Sequence, residues 1–185
     1  LSESGAVFIV PSDTPGFKPG FFHEKSSQRL ATNGCFHLEN CKISNDNILL
    51  GEGKLVELRS KYMPGSKAEA AATVLGVGRA AYEYAFNYAK NRKQGGKLII
   101  DHQAVSLMLA KMIMLLDGAR LQIWKAAWLA DKSDPDAKIQ GLISKVRASE
   151  AAFEVCTLAT EILGGAGIMY DHPVEKYLRD SVSFL

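Results

Sequence analysis

The 185 residues carry a formal net charge of +2, with 47% apolar and 23% charged side chains. That balance is ordinary for a chain that buries a core. It excludes the strongly basic signature of a nucleic-acid or anionic-membrane partner. Cys35, Cys41 and Cys156 are an odd number at spacings unlike those of metal ligands, which reads as free thiols in a reducing compartment, with no metal expected. No uninterrupted apolar run reaches the roughly 20 residues of a membrane span, so none is expected.

The first fifty residues read as β. Val7, Phe8, Ile9 and Val10 form an apolar run that stops at turn signals around Pro15 and Gly16. A second strand is expected over residues 34–41, with Phe36 and Leu38 on one face, and a third at Ile48, Leu49 and Leu50. Three short strands do not make a sheet with a core of its own. The chain also enters a strand almost at its first residue and stops at Leu185 without a polar tail, so the expectation is a piece of a longer protein.

Composition changes near Gly51, Glu52 and Gly53, and helical periodicity takes over. This divides the chain into residues 1–52, part of a β-domain, and residues 53–185, a helical domain. Residues 55–62 suggest a turn or two of helix, interrupted at Pro64 and Gly65. Ser66 with Glu69 then has the spacing of a capping box that opens a new helix running to Asn91. Its apolar stripe includes Ala71, Val74, Leu75, Gly78, Ala81 and Ala85. A second helix, 102–131, has apolar residues at three- and four-residue steps from Val105 to Ala130, and a band wide enough to touch neighbours on more than one side. Asp134, Pro135 and Asp136 open a third, with Ile139, Leu142, Ile143, Val146, Phe153, Cys156 and Ile162 tracing its buried face. Gly164 and Gly165 stop it, and Pro173 starts a last helix through Asp180. Long helices joined by short turns make antiparallel neighbours. The expected fold is mainly α, a C-terminal antiparallel four-helix-bundle domain preceded by part of a β-barrel or sandwich domain.

Between the first two long helices lies a basic corner: Arg92, Lys93, Gln94, Gly95, Gly96 and Lys97, followed by Asp101, His102 and Gln103. Arg92 offers a planar fork suited to phosphate or carboxylate. Gln94 and Gln103 can add amide hydrogen bonds. Asp101 is placed to cap the next helix, whose free N–H groups favour an anion. A solvated loop after a helix end would look much the same.

Four segments taken together resemble the acyl-CoA dehydrogenase family, medium-chain in flavour. They are residues 8–17, the corner from Arg92 to Ala104, the run from Glu161 to Gly167, and the run from Pro173 to Asp180. The resemblance implies a chain holding the second half of a middle β-domain and most of a C-terminal helical bundle. It implies FAD between the two, and the chemistry of removing an α-proton and a β-hydride from an acyl-CoA thioester. Electrons would pass to an electron-transferring flavoprotein, within a homotetramer or dimer in the cytoplasm or mitochondrial matrix. The resemblance implies that pyrophosphate and adenosine are held across a subunit interface; carried over, Arg92 would pair with the pyrophosphate. Gln94 and Gln103 would help fix the ADP half, while Glu161, Gly164 and Gly165 would lie against adenosine. The resemblance places the catalytic glutamate just past Leu185, so no catalytic residue is assigned within the chain. Some members place that glutamate at the position held here by Ser66, which is no base at neutral pH without help; Glu69 is one turn on and reads as the capping-box partner. Lys67 is the candidate for an acyl-CoA contact. Gly95 stands where the family has Phe, Glu161 where it has Gln, Asn33 where it has Thr, and Pro64 where it has Asp. The competing expectation is a non-catalytic, dehydrogenase-like bundle that serves as a binding or assembly module. A reductase or oxidase on the same scaffold is a third.

Overall fold

A computed structural model describes residues 5–185. The chain forms two compact units, and the division falls between Met63 and Pro64, with residues 26–28 belonging to the second unit. In the first unit β1 (Val7–Phe8) pairs antiparallel with β4 (Ile48–Leu50), and β2 (Phe17–Phe22) with β3 (Gly34–Leu38). Phe17 and Phe36 stack across the second pair with ring centroids 5.7 Å apart. None of the described residues of this unit up to Met63 is buried. Phe8, Ile9, Phe21, Phe22 and Phe36 are all open, as expected of strand pairs too small to enclose a core.

The second unit is helical. It is built from α1 (Leu55–Asn91, which begins in the first unit), α2 (Gln103–Asp131), α3 (Ala137–Leu163) and α4 (Val174–Val182). The buried stripe of α1 is Ala68, Ala71, Val74, Leu75, Gly78, Ala81, Ala85 and Ala89, mostly small and spaced at three and four. Small residues let helices approach to near backbone contact. A methyl group added at Gly78 would lie 3.1 Å from the Cα of Ala152 on α3 and 3.2 Å from Leu116 on α2. The bulk of the core comes from the facing helices: Met112 and Leu116 of α2, Val155 and Cys156 of α3, and Val174 of α4 are completely or almost completely buried. Each large apolar side chain enclosed this way stabilises the fold by about 1.5–3 kcal/mol. The segment Ala137–Ile168 is apolar and long enough to cross a bilayer by length and composition alone. Its second half contributes Ala148, Ala152, Val155, Cys156, Ala159 and Ile162 to the same core cluster as α1 and α2.

α4 is fastened at its C-terminal half. Asp180 is 5% exposed. Its Oδ1 accepts from the Gln28 backbone N–H at 2.6 Å and its Oδ2 from Lys176 Nζ. Arg179 makes a two-pronged pair with Glu175, 2.8 and 3.0 Å, and donates to the Ser26 carbonyl. Gln28 is held at φ 45°, unusual for a residue with a side chain.

The structure departs from the sequence expectations in five places. First, α1 does not restart at Ser66. It runs unbroken from Leu55 to Asn91 with Pro64 inside it, so the Ser66 and Glu69 pattern is not a capping box. One proline removes one intrahelical donor, a loss that a long helix packed on α3 absorbs. The close fit at Gly141, where a methyl would come 2.9 Å from the Pro64 carbonyl, shows the packing at that point. Second, β2 includes Pro19 and Gly20 and was not expected as a strand. Its ladder shifts register between Pro19 and Phe22, where a bulge accommodates the proline. Third, Asp101 does not cap α2. It lies in a 3₁₀ turn, Ile99–Asp101, and His102 takes the N-cap position without a side-chain bond. Fourth, α3 begins at Ala137, with Asp134 accepting from the Asp136 N–H at 2.9 Å in the turn before it. Fifth, the first half of α3 is turned over: Ile139, Leu142, Ile143 and Val146 are 39–51% exposed, while Ala137, Gly141, Ser144 and Ala148 are buried.

Candidate functional site

The basic corner is a β-hairpin. The last turn of α1 continues through Arg92, whose N–H donates to the Tyr88 carbonyl at 2.9 Å. Tyr88 and Arg92 therefore sit one turn apart on one helix face. β5 (Lys93–Gln94) and β6 (Lys97–Leu98) then pair across Gly95 and Gly96, at φ 61° and 80°. Two successive positive-φ residues make a primed two-residue turn, which glycine adopts without strain. The Ile99 N–H donates to the Arg92 carbonyl at 2.8 Å and closes the base of the hairpin. His102 Nε2 lies 2.9 Å from the Gln94 carbonyl, and the His102 ring takes the space beside Gly95, where an added methyl would come within 3.2 Å. No larger side chain fits at residue 95 without moving that imidazole.

The facing wall is the end of α3. Gly164 ends the helix at φ 58° and ψ −134°, its N–H donating to the Glu161 carbonyl. A 3₁₀ turn, Gly164–Ile168, follows. Gly167 packs so tightly that a methyl there would meet the Thr160 carbonyl at 2.6 Å, which fixes the turn against the helix it leaves. Gly164 and Gly165 face open space, with nothing within 4 Å of a methyl added to either.

The two walls border an open cavity of about 370 Å³ lined by Tyr88, Arg92, Gln94, Ile99, Glu161, Ile162, Leu163, Gly164, Gly165 and Ala166. Five of the six residues expected to hold a cofactor are thus brought together. Gln103 is not among the lining residues; it is the exposed first residue of α2. Lys67 and Ser66 lie elsewhere, inside α1, and Lys67 packs against Gly141. Tyr88, Ile99 and Ile162 line the cavity too, although the sequence marks Ile162 only as a core position and assigns none of the three to a site. Tyr88 was findable, since it stands four residues before Arg92. The cavity is polarised. At one side is the Arg92 guanidinium. On the wall formed by the end of α3 are Glu161 and the negative end of the helix dipole. Such a site suits a ligand with an anionic part and a part rich in N–H and O–H donors. Among the described residues, no cluster of three His, Cys, Asp or Glu is placed to hold a metal ion.

The family model of the acyl-CoA dehydrogenase C-terminal domain matches residues 61–184. The chain belongs to the acyl-CoA dehydrogenase family. It is 34% identical over 176 residues to the probable acyl-CoA dehydrogenase FadE25 of Mycobacterium tuberculosis, covering 95% of this chain and 45% of that protein. It is 32% identical to the mitochondrial short-chain specific acyl-CoA dehydrogenase of Mus musculus, again over 95% of this chain and 42% of the relative. The butyryl-CoA dehydrogenase of Megasphaera elsdenii superposes with a TM-score of 0.89 at 31% identity, over 97% of this chain and 46% of that structure. The chain thus spans less than half the length of these relatives. The mainly helical fold is that of the dehydrogenase C-terminal domain.

Proposed function

We propose that this chain is the cofactor-holding helical part, with an adjoining piece of β-domain, of an FAD-dependent enzyme that removes an α-proton and a β-hydride from an acyl-CoA thioester. The observation that carries the reading is the convergence of Arg92, Gln94, Glu161, Gly164 and Gly165 on one cavity from two elements more than sixty residues apart in sequence. The cavity fits the ADP half of the cofactor. Its volume falls within the range of small-molecule sites, and its polarity matches a diphosphate joined to adenosine. Arg92 would hold the diphosphate by charge-assisted hydrogen bonds. Gly164 and Gly165, open on the cavity side, let the ligand approach the backbone. The Glu161 carboxylate would accept from adenosine donors, and Gln94 adds an amide at the hairpin. Gln103, at the head of α2, would act from outside this cavity.

The flavin, when bound, supplies the hydride acceptor. The residues of this chain bind and orient it. The proton base is proposed to lie beyond residue 185 rather than at Ser66, whose hydroxyl is no base at neutral pH without help. Lys67 is proposed to meet a polar group of acyl-CoA. The proposal extends to transfer of electrons to an electron-transferring flavoprotein, in the cytoplasm or the mitochondrial matrix, and to assembly with copies of this chain. Outward-facing Trp124 and Trp128 of α2, 63% and 60% exposed, support the assembly.

The test is to purify the full-length protein that contains this chain and assay it with acyl-CoA and an electron acceptor. A yellow protein that turns over acyl-CoA supports the proposal. A protein with no flavin absorbance after reconstitution refutes it. Flavin binding without turnover of any acyl-CoA favours the non-catalytic binding or assembly module instead.

A further inference from the structure

We propose that His172 is a positioning residue for the dinucleotide cavity, tying its glycine wall to its arginine wall; the inference rests on the function proposed above. His172 lies outside the cavity lining. Its Nδ1 and the Tyr84 Oη share a hydrogen bond of 2.8 Å. Its ring stands edge-on to two rings of α1, at 6.0 Å and 72° to Tyr84 and at 5.9 Å and 85° to Tyr88, the arrangement that aromatic quadrupoles favour.

Both partners of this wedge lead to the cavity by short, stiff routes. On α1, Tyr84, Tyr88 and Arg92 follow one another at four-residue steps on one face, and Tyr88 and Arg92 line the cavity. On the other side, the His172 N–H donates to the Met169 carbonyl at 3.1 Å. The Met169 N–H in turn donates to the Ala166 carbonyl at 3.2 Å, and Ala166 lines the cavity beside Gly165. Tyr84 with His172 is a side-chain hydrogen bond between α1 and the segment that follows the glycine turn. The turn is fixed to the helix it leaves at Gly167, and Ala166 packs on the core, but its two cavity-facing residues are glycines with no side chains of their own. Beyond that packing, the segment that follows the turn is tied to α1 through His172, which bears on the separation between the glycine backbone and the Arg92 guanidinium. The partial burial of His172, Tyr84 and Tyr88 keeps the bond shielded enough to matter while leaving the core beneath it intact.

The experiment is a titration of the full-length apoprotein with FAD, ADP and FMN, using wild type, H172A, H172N, Y84F and the H172A/Y84F double variant. Removing one partly buried hydrogen bond from a ligand-positioning contact should weaken FAD and ADP by about five- to tenfold, with FMN binding unchanged. H172N, which keeps a polar atom near the position of Nδ1, should recover most of the loss. Y84F should match H172A, and the double variant should be no weaker than either single one, because both remove the same bond. The inference is overturned if Y84F and H172A bind FAD as wild type does, or if FMN weakens as much as ADP, which would mean general loosening. Y84F keeps the ring and its packing, so it carries the test if H172A does not fold. A wild-type protein that binds neither FAD nor ADP would instead overturn the function proposed above.

Discussion

Gly164 and Gly165 offer a test in which two adjacent residues separate backbone strain from ligand contact. Both line the cavity, and a methyl added to either meets nothing within 4 Å. They differ in conformation: Gly164 is at φ 58° and ψ −134°, whereas Gly165 is not at positive φ. A side chain at Gly164 is forced into a region that L-residues avoid, at a cost of about 1–3 kcal/mol. At Gly165 the same change reduces the freedom of the unfolded chain and is expected to be neutral or to stabilise by up to about 1 kcal/mol. G164A should therefore lower the urea midpoint, and with it the melting temperature by about 2–4 °C per kcal/mol. G165A should leave both within error of wild type or slightly above. Ligand affinity should not follow this order. G165A puts a methyl on the cavity side, so if the cavity holds the cofactor as proposed, it should weaken FAD binding although the fold is intact. Equal stability losses in both variants, or a G164A protein as stable as wild type, would refute the reasoning.

Three further outcomes are expected. Burial pushes the Asp180 carboxyl up. The hydrogen bonds from Lys176 and the Gln28 N–H, with the charges of Lys176 and Arg179, outweigh that and hold it below the usual carboxylate range. A group depressed in the folded state contributes stability that is present above its unfolded pKa and is lost as pH falls through the folded value. D180N should therefore be less stable than wild type at neutral pH, and the gap should close on acidification. D180A, which also strands the Gln28 N–H, should cost about 1–3 kcal/mol by urea denaturation. Burial pushes the Cys156 thiol up to about 12, so alkylation at mildly alkaline pH followed by peptide mapping should leave Cys156 unmodified until denaturant is added, while partly exposed Cys35 and Cys41 react. W128E, at a side chain 60% exposed, should leave the melting temperature of the isolated subunit unchanged and shift the sedimentation coefficient toward a smaller species. An unchanged oligomer would contradict the assembly proposed for that face.

The helical half was legible because a helix that packs on its neighbours writes its period into the sequence. The stripe of α1 from Ala71 to Ala85, and the ends of α2 and α3 at Asp131 and Gly164, follow from spacing and from glycine. What was illegible had physical reasons. Pro64, Gly65 and Ser66 look like a stop and a start, yet tertiary packing carries α1 through them. In the first half of α3 the spacing of the largest apolar residues points to the wrong face, because close helix packing selects small ones, so Gly141 and Ser144 are buried and Ile139 and Leu142 exposed. The hairpin at Gly95 and Gly96 was visible as a basic, glycine-bearing corner. Its strands are two residues each, too short for alternation to show. Arg92, Gln94, Glu161 and the paired glycines were named from sequence and share one cavity, whereas Tyr88 and the wedge at His172 emerge only when the chain is folded.

The measurement closest to the centre of this account is the affinity of the R92A protein for ADP beside its affinity for adenosine. If the Arg92 guanidinium holds the diphosphate, loss of a charge-assisted pair of about 1.5–3 kcal/mol should weaken ADP and FAD by about ten- to a hundredfold and leave adenosine binding as it is in wild type. If R92A binds ADP as wild type does, or loses adenosine in the same proportion, the cavity does not hold a diphosphate at Arg92, and the cofactor assignment of this site is wrong.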